Sequence, residues 1–377
     1  MNGSILKWGR ERAHLTRDAV AKSIGASVVD IDTWEKSKSG ELTLKKALDF
    51  ARTVHIPFGY LYLSTTPKEA LPIPDLRRRG ADIPPDPSVN FRDLCNDVIL
   101  KQQWFREFRL EEGAEKLSFV GKFNIKANIE VVAKDISTTL GFNAETRRDA
   151  HNAEDLLRVL ASRSEEAGIL IMRSGVVGSN NTRKLSVAEF SGFVMSDDIA
   201  PVIFINVNDS NTAQVFTCVH ELAHIWIGSS GISAVDTEPI RSSMLEIEAF
   251  CNLVAAEVLV PKIEFLSEWK ANRNLSSVAS HFRVSEQVIL RRAHELHTIT
   301  DDEFFRLWKT VPKQTKPKPE KPGGNFHDTL PARNSVRFTT TLLSEVRSGR
   351  VLNRDASRLL GVKPSTLPKL AKMRFGE

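Results

Sequence analysis

The chain has 377 residues, too many for one ordinary core, so two to four modules are expected. A hydrophobic content of 41% suffices to bury them, while no apolar run reaches membrane length and no signal-peptide core follows Met1; a cytoplasmic, non-membrane protein is predicted. The net charge of +5 permits nucleic-acid contact without demanding it, and Cys95, Cys218 and Cys251 cannot all pair, show no metal-ligand spacing and suit a reducing compartment.

The first predicted unit spans 1–66. Leu15-Thr16-x-x-x-Val20-Ala21-x-x-Ile24-Gly25 has helical apolar spacing that ends at a turn glycine. Ser27 then opens a helix containing Ile31, Trp34 and Glu35. Leu42-Thr43-Leu44-x-x-Ala47-Leu48-x-x-Ala51 continues helically, before Pro57-Phe58-Gly59-Tyr60-Leu61. The pattern is similar to the Xre-type helix-turn-helix of phage repressors. Its second helix carries Asp30, Asp32 and Glu35, which face phosphates unfavourably, and starts with Ser27, Val28 and Val29 rather than base-reading side chains. DNA reading and dimerisation or partner docking both remain open for it.

Residues 67–93 read as an extended connector, proline-rich from Pro67 to Pro87, with Arg77-Arg78-Arg79 inside it. A helical region, 94–165, follows. It holds Leu94 to Leu110 and two stretches near Ile129–Leu140 and Ala144–Glu166. Three short strands are then predicted at Gly168–Met172, Gly192–Met195 and Val202–Asn206. A small sheet of this kind has an edge that could hold an extended peptide by strand addition.

Phe216–Gly228 contains His220-Glu221-x-x-His224 in an apolar run of helical length that Gly228 can end. Residues four apart share a helix face, so both imidazoles can converge on one ion. Glu221 sits one step round the helix, placed to take a proton from a water on that ion. Three ionisable groups among Phe216, Val219, Leu222, Ile225 and Trp226 would be costly to bury without a metal. A second apolar helix is predicted from Leu245 and stops before Pro261. Glu248, Asn252 and Ala255 fall on one stripe of it. A catalytic zinc site needs a third protein ligand; Glu248 is the best candidate, and Glu246 is its rival on a stripe that carries Phe250, Leu253 and Glu257. Asn252 could accept a hydrogen bond from the far nitrogen of a ligand imidazole, and Ala255 lets the helices approach. Glu246 and Glu257 are assigned to a solvated face, and Cys218 and Cys251 are read as buried free thiols.

These two segments, the second reading Glu248-x-x-Cys251-Asn252-x-Val254-Ala255-Ala256 and ending Val260-Pro261, resemble the ImmA/IrrE family of zinc metallopeptidases. Cys251, Val254 and Val260 stand where members usually carry Ala, Phe and Met; these apolar exchanges spare the metal-facing positions. The resemblance implies zinc held by His220, His224 and Glu248, with Glu221 as catalytic base. It also implies a regulatory protein as substrate, usually a helix-turn-helix repressor. The zincin-like peptidase domain with its trailing helices is placed at 166–310. Within it, Leu275 to Arg292 again has helix-turn-helix spacing, equally suited to packing or to DNA.

A Pro/Lys/Gly linker at 311–324 precedes a small helical unit, 325–377. This unit resembles the tail of long Xre–ImmA/IrrE proteins that neighbour PIN-like nuclease toxins. Ala356-x-x-Leu359-Leu360-Gly361-Val362-x-x-Ser365 has turn-helix spacing, but Pro368 is expected to cut short any recognition helix, and a docking element is preferred. The predicted fold is thus α+β and mostly helical: an Xre-like bundle, a small-sheet peptidase domain and a short helical C-terminal unit. Two functions are carried forward. One is a zinc endopeptidase that cleaves a regulatory protein. The other is an antitoxin-like, operator-DNA-binding repressor that neutralises a toxin protein with little proteolysis. A homodimer is compatible with either.

Overall fold

The computed structural model describes residues 1–38, 42–67, 87–233, 243–311 and 326–376. The proline-rich connector and the Lys-rich linker therefore lie almost wholly outside the described residues. The described chain up to Cys95 forms one compact unit, and the rest a second.

In the first unit, helices α1 (Gly3–Arg12), α2 (Arg17–Ile24), α3 (Val28–Lys36) and α4 (Leu44–Thr53) precede a 3-10 turn at Phe58–Tyr62. Each helix starts where a side chain satisfies a free backbone N–H: Asn2, Thr16, Ser27 and Thr43 are the caps. Gly25 ends α2 in the left-handed conformation at φ 64°, giving a short helix-turn-helix link. Ile5, Leu6, Val20, Ile31, Ala47, Phe50 and Leu61 form the core.

The acidic residues of α3 do not form the phosphate-repelling face the sequence suggested. Glu35 is buried and accepts hydrogen bonds from Arg10 Nε at 2.5 Å and Arg17 Nε at 2.9 Å. Asp30 closes a capping box with Ser27, and Asp32 pairs with Lys36 and Arg17. The physical reason is local: each carboxylate has a donor within reach on its own or a neighbouring helix. What α3 exposes is Val28 and Val29 at its start, with Val29 74% accessible, and Thr33 and Lys36 further on.

Helix α5 (Val89–Glu111) gives its first turns to the first unit and the remainder to the second. Then come α6 (Ile129–Thr139), α7 (Ala144–Asp149) and α8 (Ala153–Ala167). The single helix expected over Ala144–Glu166 is broken because Ala150 is extended and Asn152 caps a new helix, accepting from Asp155 N. Strand β1 (Leu170–Ser174) begins two residues later than expected, since Gly168 ends α8 at φ 110°. Strands β2 (Val176–Val177) and β3 (Asn180–Lys184) make a hairpin too polar to announce itself. β4 (Gly192–Met195) and β5 (Val202–Asn206) match expectation.

Helix α9 (Asn211–Trp226), strand β6 (Gly231–Ser233) and helix α10 (Ser243–Leu259) follow. The four-stranded sheet has the order β1-β5-β4-β6. β1 is parallel to β5, and β4 is antiparallel to both β5 and β6. Alternation sends Ile171, Val194, Ile203 and Ile205 into the main core with α9, and leaves Phe193 stacked on Phe204 on the other face.

Helices α11 (Lys262–Ala271), α12 (Leu275–Phe282), α13 (Glu286–Glu295) and α14 (Asp301–Trp308) surround the end of α10. Two buried arginines satisfy carbonyls left over at that end. Arg147 of α7 donates to Leu259 O, and Arg292 of α13 donates to Val260 O. Glu257 is half-buried against Arg292 rather than solvated, because α13 folds back over it; Glu246 is exposed as expected. Every residue of α13 is buried or half-buried, so the helix-turn-helix spacing at Leu275–Arg292 serves packing.

The C-terminal residues form α15 (Phe326–Asn334), α16 (Val336–Arg347), α17 (Asn353–Leu360), a 3-10 turn at Pro364–Thr366 and α18 (Leu367–Phe375). α15 and α16 pack against β1. Glu165 at the end of α8 accepts from Val336 N at 2.9 Å and Arg337 N at 3.1 Å, in the first turn of α16. Phe338 meets Trp104 and Phe105 of α5. Pro368 does not shorten α18. It sits in the first turn, where a missing N–H has no intrahelical partner to lose. The α+β, mostly helical expectation stands.

Candidate metal centre

Helix α9 is apolar on every side because it is wrapped by α8, α10, β4 and β5; every residue from Ala213 to Trp226 is buried. Ser210 caps its start. Its end is closed by a loop whose Gly121 N and Phe123 N donate to Ile225 O and Trp226 O. Gly228, at φ 68°, lies against Gly121; a Cβ there would stand 3.1 Å from Gly121 Cα.

Within this frame, His220 and His224 lie one turn apart on the face that meets α10, and Glu248 comes from α10. The His224 Nε2 atom is 3.1 Å from His220 Nε2 and 3.1 Å from Glu248 Oε1, and His220 Nε2 is 3.2 Å from Glu248 Oε2. Donors held about 2.0–2.2 Å from a tetrahedral zinc would be separated by roughly 3.3–3.5 Å, so the three residues fit one ion. Among the described residues this is the cluster of His, Cys, Asp or Glu that could hold a metal.

The electrostatics agree with a site for a cation. Burial pushes the Glu248 carboxyl up, but the two imidazoles outweigh it and hold the pKa at about 2. Burial also opposes a charge on His220, yet Glu248 foremost keeps its pKa above the usual value, whereas burial lowers that of His224. Glu248 and the two imidazoles thus form a mutually stabilising set of opposite polarity, and a divalent ion would need both imidazoles neutral.

Glu221 is fully buried beside β4. Gly192 is the residue the sequence reading passed over. A Cβ there would meet Thr217 Cγ2 at 2.5 Å, Phe204 O at 2.9 Å and Glu221 Oε1 at 3.1 Å. A glycine inside a strand was the available signal for such a close approach. Asn252 is half-buried and favours the charged form of His220. The Nδ1 atoms of His220 and His224 are nevertheless buried without a hydrogen-bond partner among the described residues, so the expected bond from a far nitrogen to Asn252 is not closed. Cys218 and Cys251 are buried free thiols; burial raises Cys218 to about 12 and Cys251 well above its usual value.

Residues 164–294, which include all of these positions, match the family model described as an IrrE N-terminal-like domain, Peptidase_M78. This stretch is therefore similar to a peptidase-type domain. Residues 334–373 match a domain of unknown function, DUF8813. No curated protein matches the chain. The peptidase-type match runs from the end of α8 through the sheet, α9 and α10 into α13, so the site lies well inside it.

The sheet narrows where a peptide could lie. β4, the strand next to Glu221, is paired on both sides over Gly192–Val194. The β1 end of the sheet carries α15 and α16. Among the described residues the opposite end of the sheet is β6, a different strand from those the sequence revealed.

Proposed function

We propose that this protein is a zinc-dependent endopeptidase that cleaves a regulatory protein, with His220, His224 and Glu248 as ligands and Glu221 as general base. The convergence of three buried donors on one point, beside a buried glutamate and inside a peptidase-type segment, carries this reading. Bound zinc would supply Lewis acidity to the scissile carbonyl and to the attacking water.

The chain's own residues supply the rest. Glu221 takes the proton of the attacking water and returns it to the leaving amine. Burial by β4 and α10 keeps bulk solvent from this carboxylate. β6 offers backbone donors and acceptors to an extended segment of substrate, which suits a cut in a loop or linker of a folded regulator. Asn252 biases the charge state of His220 from the same helix that presents Glu248.

The test pairs metal content with cleavage. Glu221→Gln keeps one zinc per chain and abolishes cleavage of the protein encoded by the adjacent gene, followed by mass spectrometry. His224→Ala loses both. A Glu221→Gln protein that still cuts would remove Glu221 from the base role. Full zinc occupancy in His224→Ala would overturn the ligand set. The alternative, repression with toxin neutralisation, would survive Glu221→Gln intact.

A further inference from the structure

Three helix-turn-helix links lie among the described residues at the places the sequence spacing marked, and their outer faces differ. In the first, α3 exposes Val28 and Val29, while its acidic residues are held in capping or ion pairs. In the second, α13 has no exposed residue. The third is α17, a turn beginning at Gly361 (φ 65°), and the 3-10 turn that continues into α18. It is open and basic.

Between residues 326 and 376, ten lysines and arginines stand against three acidic residues. Two of those acids are already engaged: Glu345 is buried against Arg350, and Asp355 pairs with Arg354. Arg354, Arg358, Lys363, Lys369, Lys372 and Arg374 are all exposed on the α17–α18 link. Leu330, Phe338, Leu342 and Leu370 are spent on the domain beneath and on the module's own core, while Leu352 and Met373 stay exposed among the basic side chains. The link is also held rigidly. Ser179, in the β2–β3 turn, donates to Gly361 O at 3.0 Å and accepts from Arg333 at 3.0 Å. An open cleft of about 540 Å³ lies there, lined by Ser179, Arg358, Gly361, Lys363 and Thr366.

We propose that the α17–α18 helix-turn-helix binds double-stranded DNA, with α18 entering the major groove and Arg358 and Lys363 contacting the backbone. The second helix of such a link is the one that enters a groove, and α18 is the exposed, basic one of the three second helices. Lys369 and Lys372 lie three residues apart, on one face of α18. Positive charge without competing acid is what phosphate contact requires, and it makes binding salt-dependent.

The experiment measures anisotropy of a labelled 30-base-pair duplex of mixed sequence with the full chain. Four phosphate contacts predict that affinity falls about 100-fold between 50 and 200 mM salt. Lys369→Gln with Lys372→Gln weakens binding at least about 10-fold and flattens the salt slope by about two. Lys369→Arg with Lys372→Arg restores it. Both pairs are exposed, and an unchanged melting temperature excludes misfolding. Three results overturn the proposal: no binding at 50 mM salt, binding insensitive to the glutamine pair, or loss of binding on Lys45→Gln with Lys46→Gln instead. Capture of poly-glutamate in preference to the duplex would assign the same face to an acidic protein partner and would equally overturn it.

Discussion

At the residue scale, the behaviour of single side chains follows from what burial leaves them. Gly192 has no room for a methyl group between Thr217, Phe204 O and Glu221. Gly192→Ala is expected to cost about 2 kcal/mol, within the range for overpacking, and to displace Glu221. Thermal melting would show the loss, and cleavage would fall while zinc content holds. Glu35 gives a pH test. Burial alone would raise its pKa, but Arg10 and Arg17 outweigh that and hold it below the ordinary glutamate value. A depressed native pKa means the pair's contribution is present above about pH 4.5 and is lost as pH falls through the native value. Hydrogen-exchange protection across residues 1–67, corrected for the intrinsic rate at each pH, should fall on acidification below that point in the full chain. In Glu35→Gln this acid-dependent step should vanish, with faster exchange already at pH 7. A breakdown unchanged by the substitution would remove Glu35 from the acid response.

At the element scale, helix ends are held by side chains from distant parts of the chain. Arg292 is 1% exposed and joins α13 to the end of α10 through Val260 O and Glu257. Arg292→Ala strips a buried carboxylate of its partner and is expected to cost about 3 kcal/mol or more. Glu248 lies on the same helix, so zinc affinity should fall with stability, which titration against a chelator would register. Glu165 plays the matching part for the C-terminal module. Glu165→Ala leaves the Ser335 cap of α16 in place but strips two first-turn amides of their acceptor, at a cost of about 1 kcal/mol, and exchange at Val336 and Arg337 should quicken while α9 stays protected. Faster exchange spread evenly through α9 would mean that Glu165 supports the peptidase core rather than the tail.

At the scale of the whole molecule, the C-terminal module is packed against the peptidase sheet. Ending the chain at residue 325 would uncover β1 and leave Trp104 and Phe105 without Phe338. An uncovered strand of this kind invites edge pairing between molecules. The truncated chain should therefore retain the zinc ligands but self-associate, visible by light scattering. A monomeric truncate with unchanged melting would show that the docking adds little.

Much of this was legible in the sequence where the information is periodic or chemically peculiar. His220, Glu221 and His224 sit at helical spacing in an apolar run, and Glu248 follows on a second apolar helix, so the residue types alone point to one ion. The cap at Ser27 and the turn glycine Gly25 act within a few residues, and so they too read directly from the chain. The pairings that act at long range did not. Whether Glu35 repels phosphate or is buried between Arg10 and Arg17 depends on how α1, α2 and α3 come together. The same holds for Glu257 under Arg292, for β6 on the edge of β4, and for Gly192 against Glu221. Contacts of this kind are fixed by the meeting of surfaces far apart in the chain, where local spacing carries no signal. The sequence by itself determined most of the helices and the candidate donors, because both are written in local spacing; the tertiary structure decided which charges are buried, which short strands pair and which of three similar helix-turn-helix links is open and basic.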